Sequence, residues 1–169
     1  LIFTTLLGSG IAAGFVLLQS TVFQAIAIRG VVPDISMIVL LFVANKNGPM
    51  AGQVSGALSG IVADVLSLAP LGFHVFIRTV LGFVFGLSRG NVFLDPVLVP
   101  ILMTAVATFL KGLLTTVLGA VFSLPAAASL LFSSAFFIEL GYNSLLAPLI
   151  FGVLGLISPL RRFERESRL

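Results

Sequence analysis

Asp64, His74, Arg78, Lys111 and Glu139 are ionisable side chains set inside long apolar runs of this chain. The stretch "ADVLSLAPLGFHVFIR", residues 63–78, brings an acid, an imidazole and a guanidinium close together in sequence. Asp64 and His74 are the residue types of general acid–base chemistry, but nothing beside them marks a nucleophile. No serine stands in a nucleophile-elbow context, and the chain has no cysteine. A lone histidine cannot assemble a His-rich metal site. Magnesium sites favour clustered carboxylates, and the acids here are scattered. Neither a phosphate-binding loop nor a dinucleotide fingerprint is present. The residue types therefore point to ion pairing, with no enzyme activity, metal or cofactor expected.

The elements that must position these groups follow from composition. The chain is 59% hydrophobic and 9% charged over 169 residues, where soluble domains carry about 25% charged residues. Its mean hydropathy is +1.22. A bilayer-spanning helix needs about 20 apolar residues, which leaves room for roughly six spans and short loops. The expected fold is an all-α integral membrane protein with six transmembrane helices over residues 1–160 and a basic cytoplasmic tail over 161–169.

Glycine, proline and charge divide the spans. Span one covers Leu1 to Ile28, a length that reads as a retained span. Span two covers Asp34 to Ala44 and is closed by "NKNGP". It is too short to cross unaided, so it is either shielded by neighbours or thins the bilayer locally. Spans three to six cover Gly48–Leu68, Gly72–Leu87, Pro96–Ser123 and Ser129–Leu160. Lys46, Arg89, Arg161, Arg162, Arg165 and Arg168 fall on one side and Arg29 on the other. The positive-inside rule then puts both termini in the cytoplasm. The net charge of +3 sits mostly in the tail "RRFERESRL", which suits an anchor on anionic lipid or a cytoplasmic docking segment. It does not suggest nucleic acid.

Each intramembrane charge costs about 2.5–3.5 kcal/mol at mid-bilayer, so compensation is expected. Counting helical rise from the outer ends puts Asp64, His74 and Arg78 at depths of about 6, 3 and 9 Å. Lys111 and Glu139 come to about 18 and 15 Å. Asp64 is therefore expected to pair with Arg78 or His74, and Lys111 with Glu139, with Asn143 one turn further on. Such a buried polar cluster could fix helix register, hold a small ligand or proton, or meet a partner. Gly48, Gly52, Gly56 and Gly60, and then Gly82, Gly86 and Gly90, recur at four-residue spacing. Rows of this kind let backbones approach closely, within the subunit or against a partner helix.

The chain resembles the MreD family of the bacterial rod-shape machinery. The similarity rests on Leu18-Gln19-Ser20-Thr21-Val22-Phe23 and on Pro33-Asp34 opening span two. It continues through Gly56, Gly60, Asp64 and Ser67, then Pro70-Leu71-Gly72 and His74, and on to Asn143 with Pro148. The resemblance is loose from Val97 to Phe137, and neither Lys111 nor Glu139 is taken as a family residue. It implies a non-enzymatic scaffold of the bacterial cytoplasmic membrane that partners MreC. Through MreC it would act with RodA, a penicillin-binding transpeptidase and MreB in cell-wall elongation. The family's architecture is similar to that of the substrate-binding S-components of energy-coupling-factor transporters. That similarity leaves a vitamin-binding S-component as the alternative, docking through Gly8, Gly10 and Gly14.

Overall fold

A computed structural model describes residues 2–21, 27–89 and 97–157. The helices are α1 (Ile2–Thr21), α2 (Ile35–Asn47), α3 (Pro49–Leu66), α4 (Phe73–Gly86), α5 (Leu98–Val121), the single turn α6 (Pro125–Ala128) and α7 (Ser134–Leu156). Among the described residues the extended pairing is confined to a bridge between Ile28 and Val31. The basic tail 161–169, Gly90 and the 91–96 connection lie outside the described residues, as do positions 22 and 23 of the first motif.

The long helices fall within the expected spans, and their ends have local causes. Asp34 caps α2, its side chain accepting from the Met37 N–H at 3.0 Å. α2 and α3 are joined by Gly48 alone, at φ +92°, a conformation glycine adopts at no steric cost. Pro49 follows at the first position of α3, where its missing N–H is harmless. The last span begins later than expected. α6 and a 3₁₀ turn over Leu130–Phe132 intervene before Ser133, whose hydroxyl accepts from the Phe136 N–H at 3.2 Å and starts α7.

α5 and α7 are each long and apolar enough to cross a membrane. α2 is the opposite case: its 13 residues reach about 20 Å, against a hydrocarbon core of about 30 Å. Within the fold this short helix is enclosed by its neighbours. Every residue from Ile35 to Ala44 is buried, and α2 is encircled by α1, α3, α4, α5 and α7. A helix apolar on all sides suits such a place. One face joins Met37, Leu40, Leu41 and Ala44 to Phe73, Ile77 and Leu81 of α4 and Met103 and Ala107 of α5. The other joins Ile35, Val39, Phe42 and Val43 to Ala12 of α1 and Leu154 of α7.

The most extensive helix contact is α3 against α4, and the glycine rows make it. A methyl group added to Gly52 would collide with the Gly82 carbonyl, one on Gly56 with the Arg78 carbonyl, and one on Gly60 with the Val75 backbone. Gly82 and Gly86 meet the backbones of Gly52 and Pro49 in return. These glycines face each other inside the subunit, so they are not open to a partner helix. Gly10 and Gly14 on α1 have nothing within 4 Å of an added methyl. Accordingly Gly56→Val and Gly82→Val should each abolish a monodisperse peak in size-exclusion chromatography in detergent. Gly10→Ala should leave the peak intact and Tm unchanged or slightly raised, since alanine is the better helix former.

Candidate functional site

The shortness of α2 has a second effect: it leaves the helix's N-terminus, and Asp34 with it, inside the bundle. There the Asp34 carboxylate is the meeting point of the charged residues. Its Oδ1 accepts from Arg78 Nη2 at 3.2 Å and its Oδ2 from Lys111 Nζ at 2.6 Å. Its backbone N–H donates to Asn143 Oδ1 at 2.8 Å. Arg78 also donates from Nη1 to Ser36 Oγ at 2.5 Å, and the Ser36 hydroxyl donates in turn to the Ala12 carbonyl of α1 at 2.8 Å. Lys111 donates to Glu139 Oε1 at 2.5 Å. Asn143 Nδ2 reaches Thr108 Oγ1 at 3.3 Å and Glu139 Oε1 at 3.5 Å. Asp34, Ser36, Arg78, Thr108 and Asn143 are buried. Two cations and two carboxylates thus alternate through the set with no net charge, as a low-dielectric interior requires.

Lys111 and Glu139 meet at the matched depth that helical rise assigns them. Asp64 differs from expectation. Its carboxylate turns away from the Arg78 guanidinium and accepts from the backbone N–H groups of Gly72 and His74, each at 2.7 Å, and of Val75 at 3.4 Å. The physical reason is the free N–H groups that open any helix. Those of α4 lie just across the "SLAPLG" turn, where a buried carboxylate satisfies them and complements the helix dipole. Within that turn Ser67 Oγ accepts from Ala69 N–H at 3.3 Å, Pro70 O from Phe73 N–H at 3.1 Å, and Gly72 takes φ +95°. Leu71 is exposed and Pro33 fully buried. The His74 ring stacks edge-on against Phe73 at 5.4 Å and is joined to Asp64 through its backbone only.

Above Asp34 an open cavity of about 330 Å³ is lined by Val16, Val32, Ala63, Leu66 and Ser67 together with Asp34, Arg78, Lys111 and Glu139. A smaller pocket of about 80 Å³ lies on the His74 side of the same ion pairs, against Met37, Ile77 and Leu81. Among the described residues no group of acids and histidines converges as a metal site would need.

The family model for the rod shape-determining protein MreD matches residues 2–157. The chain belongs to the MreD family. It is therefore a member of a family of shape-determining membrane proteins. No curated protein and no solved structure matches the chain. Within this MreD chain the Pro33-Asp34 pair marks the hub of the ion cluster, and Asp64 with Pro70-Leu71-Gly72 marks the α3–α4 turn.

Asp34, Ser36 and Thr108 are site residues that depth counting from the outer ends does not find. Asp34 carries a signal nonetheless: an aspartate just before an apolar helix is an N-cap, and here that helix is too short to lift it out of the bundle. Two substitutions separate the two carboxylates. Asp34→Ala leaves the buried Arg78 without a counter-ion and Lys111 with Glu139 alone, and such losses cost about 3–5 kcal/mol. Asp64→Ala removes a helix cap, worth about 0.5–2 kcal/mol. Thermal denaturation in detergent should therefore show the larger fall in Tm for Asp34→Ala. Equal or reversed effects would remove Asp34 from the centre of the fold.

Proposed function

We propose that this MreD chain is a non-enzymatic, six-span subunit of the bacterial cytoplasmic membrane that binds MreC and supports cell-wall elongation. The family match over residues 2–157 carries the reading. The interior is consistent with it: the buried charges are spent on one another and on helix ends. RodA, the penicillin-binding transpeptidase and MreB would be reached through MreC. Since the α3 and α4 glycine rows are occupied by each other, MreC's transmembrane helix must dock elsewhere.

In this reading both termini lie in the cytoplasm. In support, Lys46 and Arg89 share one end of the bundle, where Arg89 Nη1 donates to the Asn47 carbonyl at 3.5 Å, while Arg29 precedes the opposite end of α2. A vitamin-binding S-component of an energy-coupling-factor transporter is the competing function, and the open cavity is the observation in its favour. Gly8 packs against Val43, which leaves Gly10 and Gly14 for docking in that case.

Affinity purification from native membranes in mild detergent, followed by mass spectrometry, discriminates the two. Stoichiometric recovery of a single-span protein with a periplasmic domain supports the scaffold; recovery of a multi-span coupling subunit with two ATPases replaces it. For topology, the cysteine-free chain accepts single cysteines at Arg29 and Lys46. A membrane-impermeant maleimide should label the first in intact cells and the second only after permeabilisation.

A further inference from the structure

We propose that the cavity above α2 binds a zwitterion carrying a primary ammonium and a phosphodiester, of the kind found in glycerophosphoethanolamine, either free or as a phospholipid head. The inference stands independently of the partner assigned to this chain.

The charge pattern selects the ligand. Asp34, Arg78, Lys111 and Glu139 all line the cavity, and their charges already cancel. A lone anion or cation would add an uncompensated charge beside side chains that are largely withdrawn from water, at a desolvation cost. A zwitterion adds none.

The remaining hydrogen-bonding capacity is also two-sided. Lys111 has three N–H donors, and among the described residues Asp34 and Glu139 take two of them. Arg78 has five, of which bonds to Ser36 and Asp34 account for two. These cations are the anion-accepting side. On the other side, Glu139 receives Lys111 and Asn143 on Oε1, which leaves Oε2 to accept from an ammonium. Asp34 is the poorer acceptor for that part, because both of its oxygens already receive donors.

Size and lining agree. A volume of about 330 Å³ is at the small end of ligand sites, about 300–1,000 Å³, and matches a head group better than a whole lipid. Val16, Val32, Ala63 and Leu66 give the apolar wall that such sites combine with a few convergent polar groups. The need for N–H donors at Glu139 gives the sharpest discrimination: a quaternary ammonium carries the same charge and cannot donate.

The test uses the full chain, delipidated in maltoside detergent. Tm is followed against glycerophosphoethanolamine, glycerophosphocholine and inorganic phosphate. Native mass spectrometry then compares dioleoyl phosphatidylethanolamine with dioleoyl phosphatidylcholine. The ethanolamine compound should bind at least about tenfold more tightly than its choline counterpart, the factor that about 1.4 kcal/mol provides. Glu139→Gln should weaken it by a similar factor. Leu66→Trp, at a partly exposed position outside the ion pairs, should block binding while the unliganded protein stays folded.

A response to the free head group assigns a soluble ligand; a response to the diacyl lipid alone assigns the membrane. Equal binding of choline and ethanolamine compounds overturns the proposal, as does inorganic phosphate binding just as tightly. Absence of a saturable response to every probe overturns it too. If Glu139→Gln does not fold, Leu66→Trp decides: binding lost supports the site and binding retained removes it.

Discussion

A buried carboxylate is tolerable in a low-dielectric protein interior only when its charge is met from several directions, and Asp34 organises the bundle around that demand. Its oxygens bind α4 through Arg78 and α5 through Lys111, and its own N–H binds α7 through Asn143. Ser36, two residues on, extends the set to α1. Coulomb attraction is strong where water is scarce, but the same scarcity penalises any member left alone. The helices therefore have one relative depth at which all the charges are satisfied, and slipping any one of them strands a charge.

A different device holds α3 to α4. Close backbone approach lets dispersion contacts do the joining. The facing glycines supply that approach along the length of the pair, and Asp64 fixes the end where α4 begins. Together they make the α3–α4 hairpin a rigid wall against which α2 can lie. They also consume the small-residue faces that would otherwise invite another helix.

Much of this was legible in the residues. Apolar run length and the Gly, Pro and Asn punctuation locate the long helices, and helical rise alone places Lys111 level with Glu139. Two things were not. Asp64 was within reach of Arg78 by depth, but depth counts side chains and omits the open N–H groups of the next helix, which took the carboxylate. Asp34 stood at the edge of a span and looked like the start of a loop-facing end. Its true depth depends on α2 being enclosed, a tertiary fact that a uniformly apolar segment does not disclose, since lipid and protein neighbours ask for the same side chains. The late start of α7 has a similar origin, because Pro125 begins a separate helical turn that the Ser133 cap then interrupts.

The wide spacing of Asp34's partners along the chain has a consequence for how the protein is made. Arg78, Lys111 and Asn143 lie 44, 77 and 109 positions beyond it. At roughly 5–20 residues per second of synthesis, the last of them leaves the ribosome on the order of 5–20 s after Asp34. During that interval α2 is a short apolar helix with an acid at its tip and an incomplete ring of neighbours. Its first cation arrives with α4, which the glycine hairpin brings back against α3 before α5 and α7 exist. The order of the helices in the gene is thus also an order of charge neutralisation, and the second segment to be translated is among the last to be sealed.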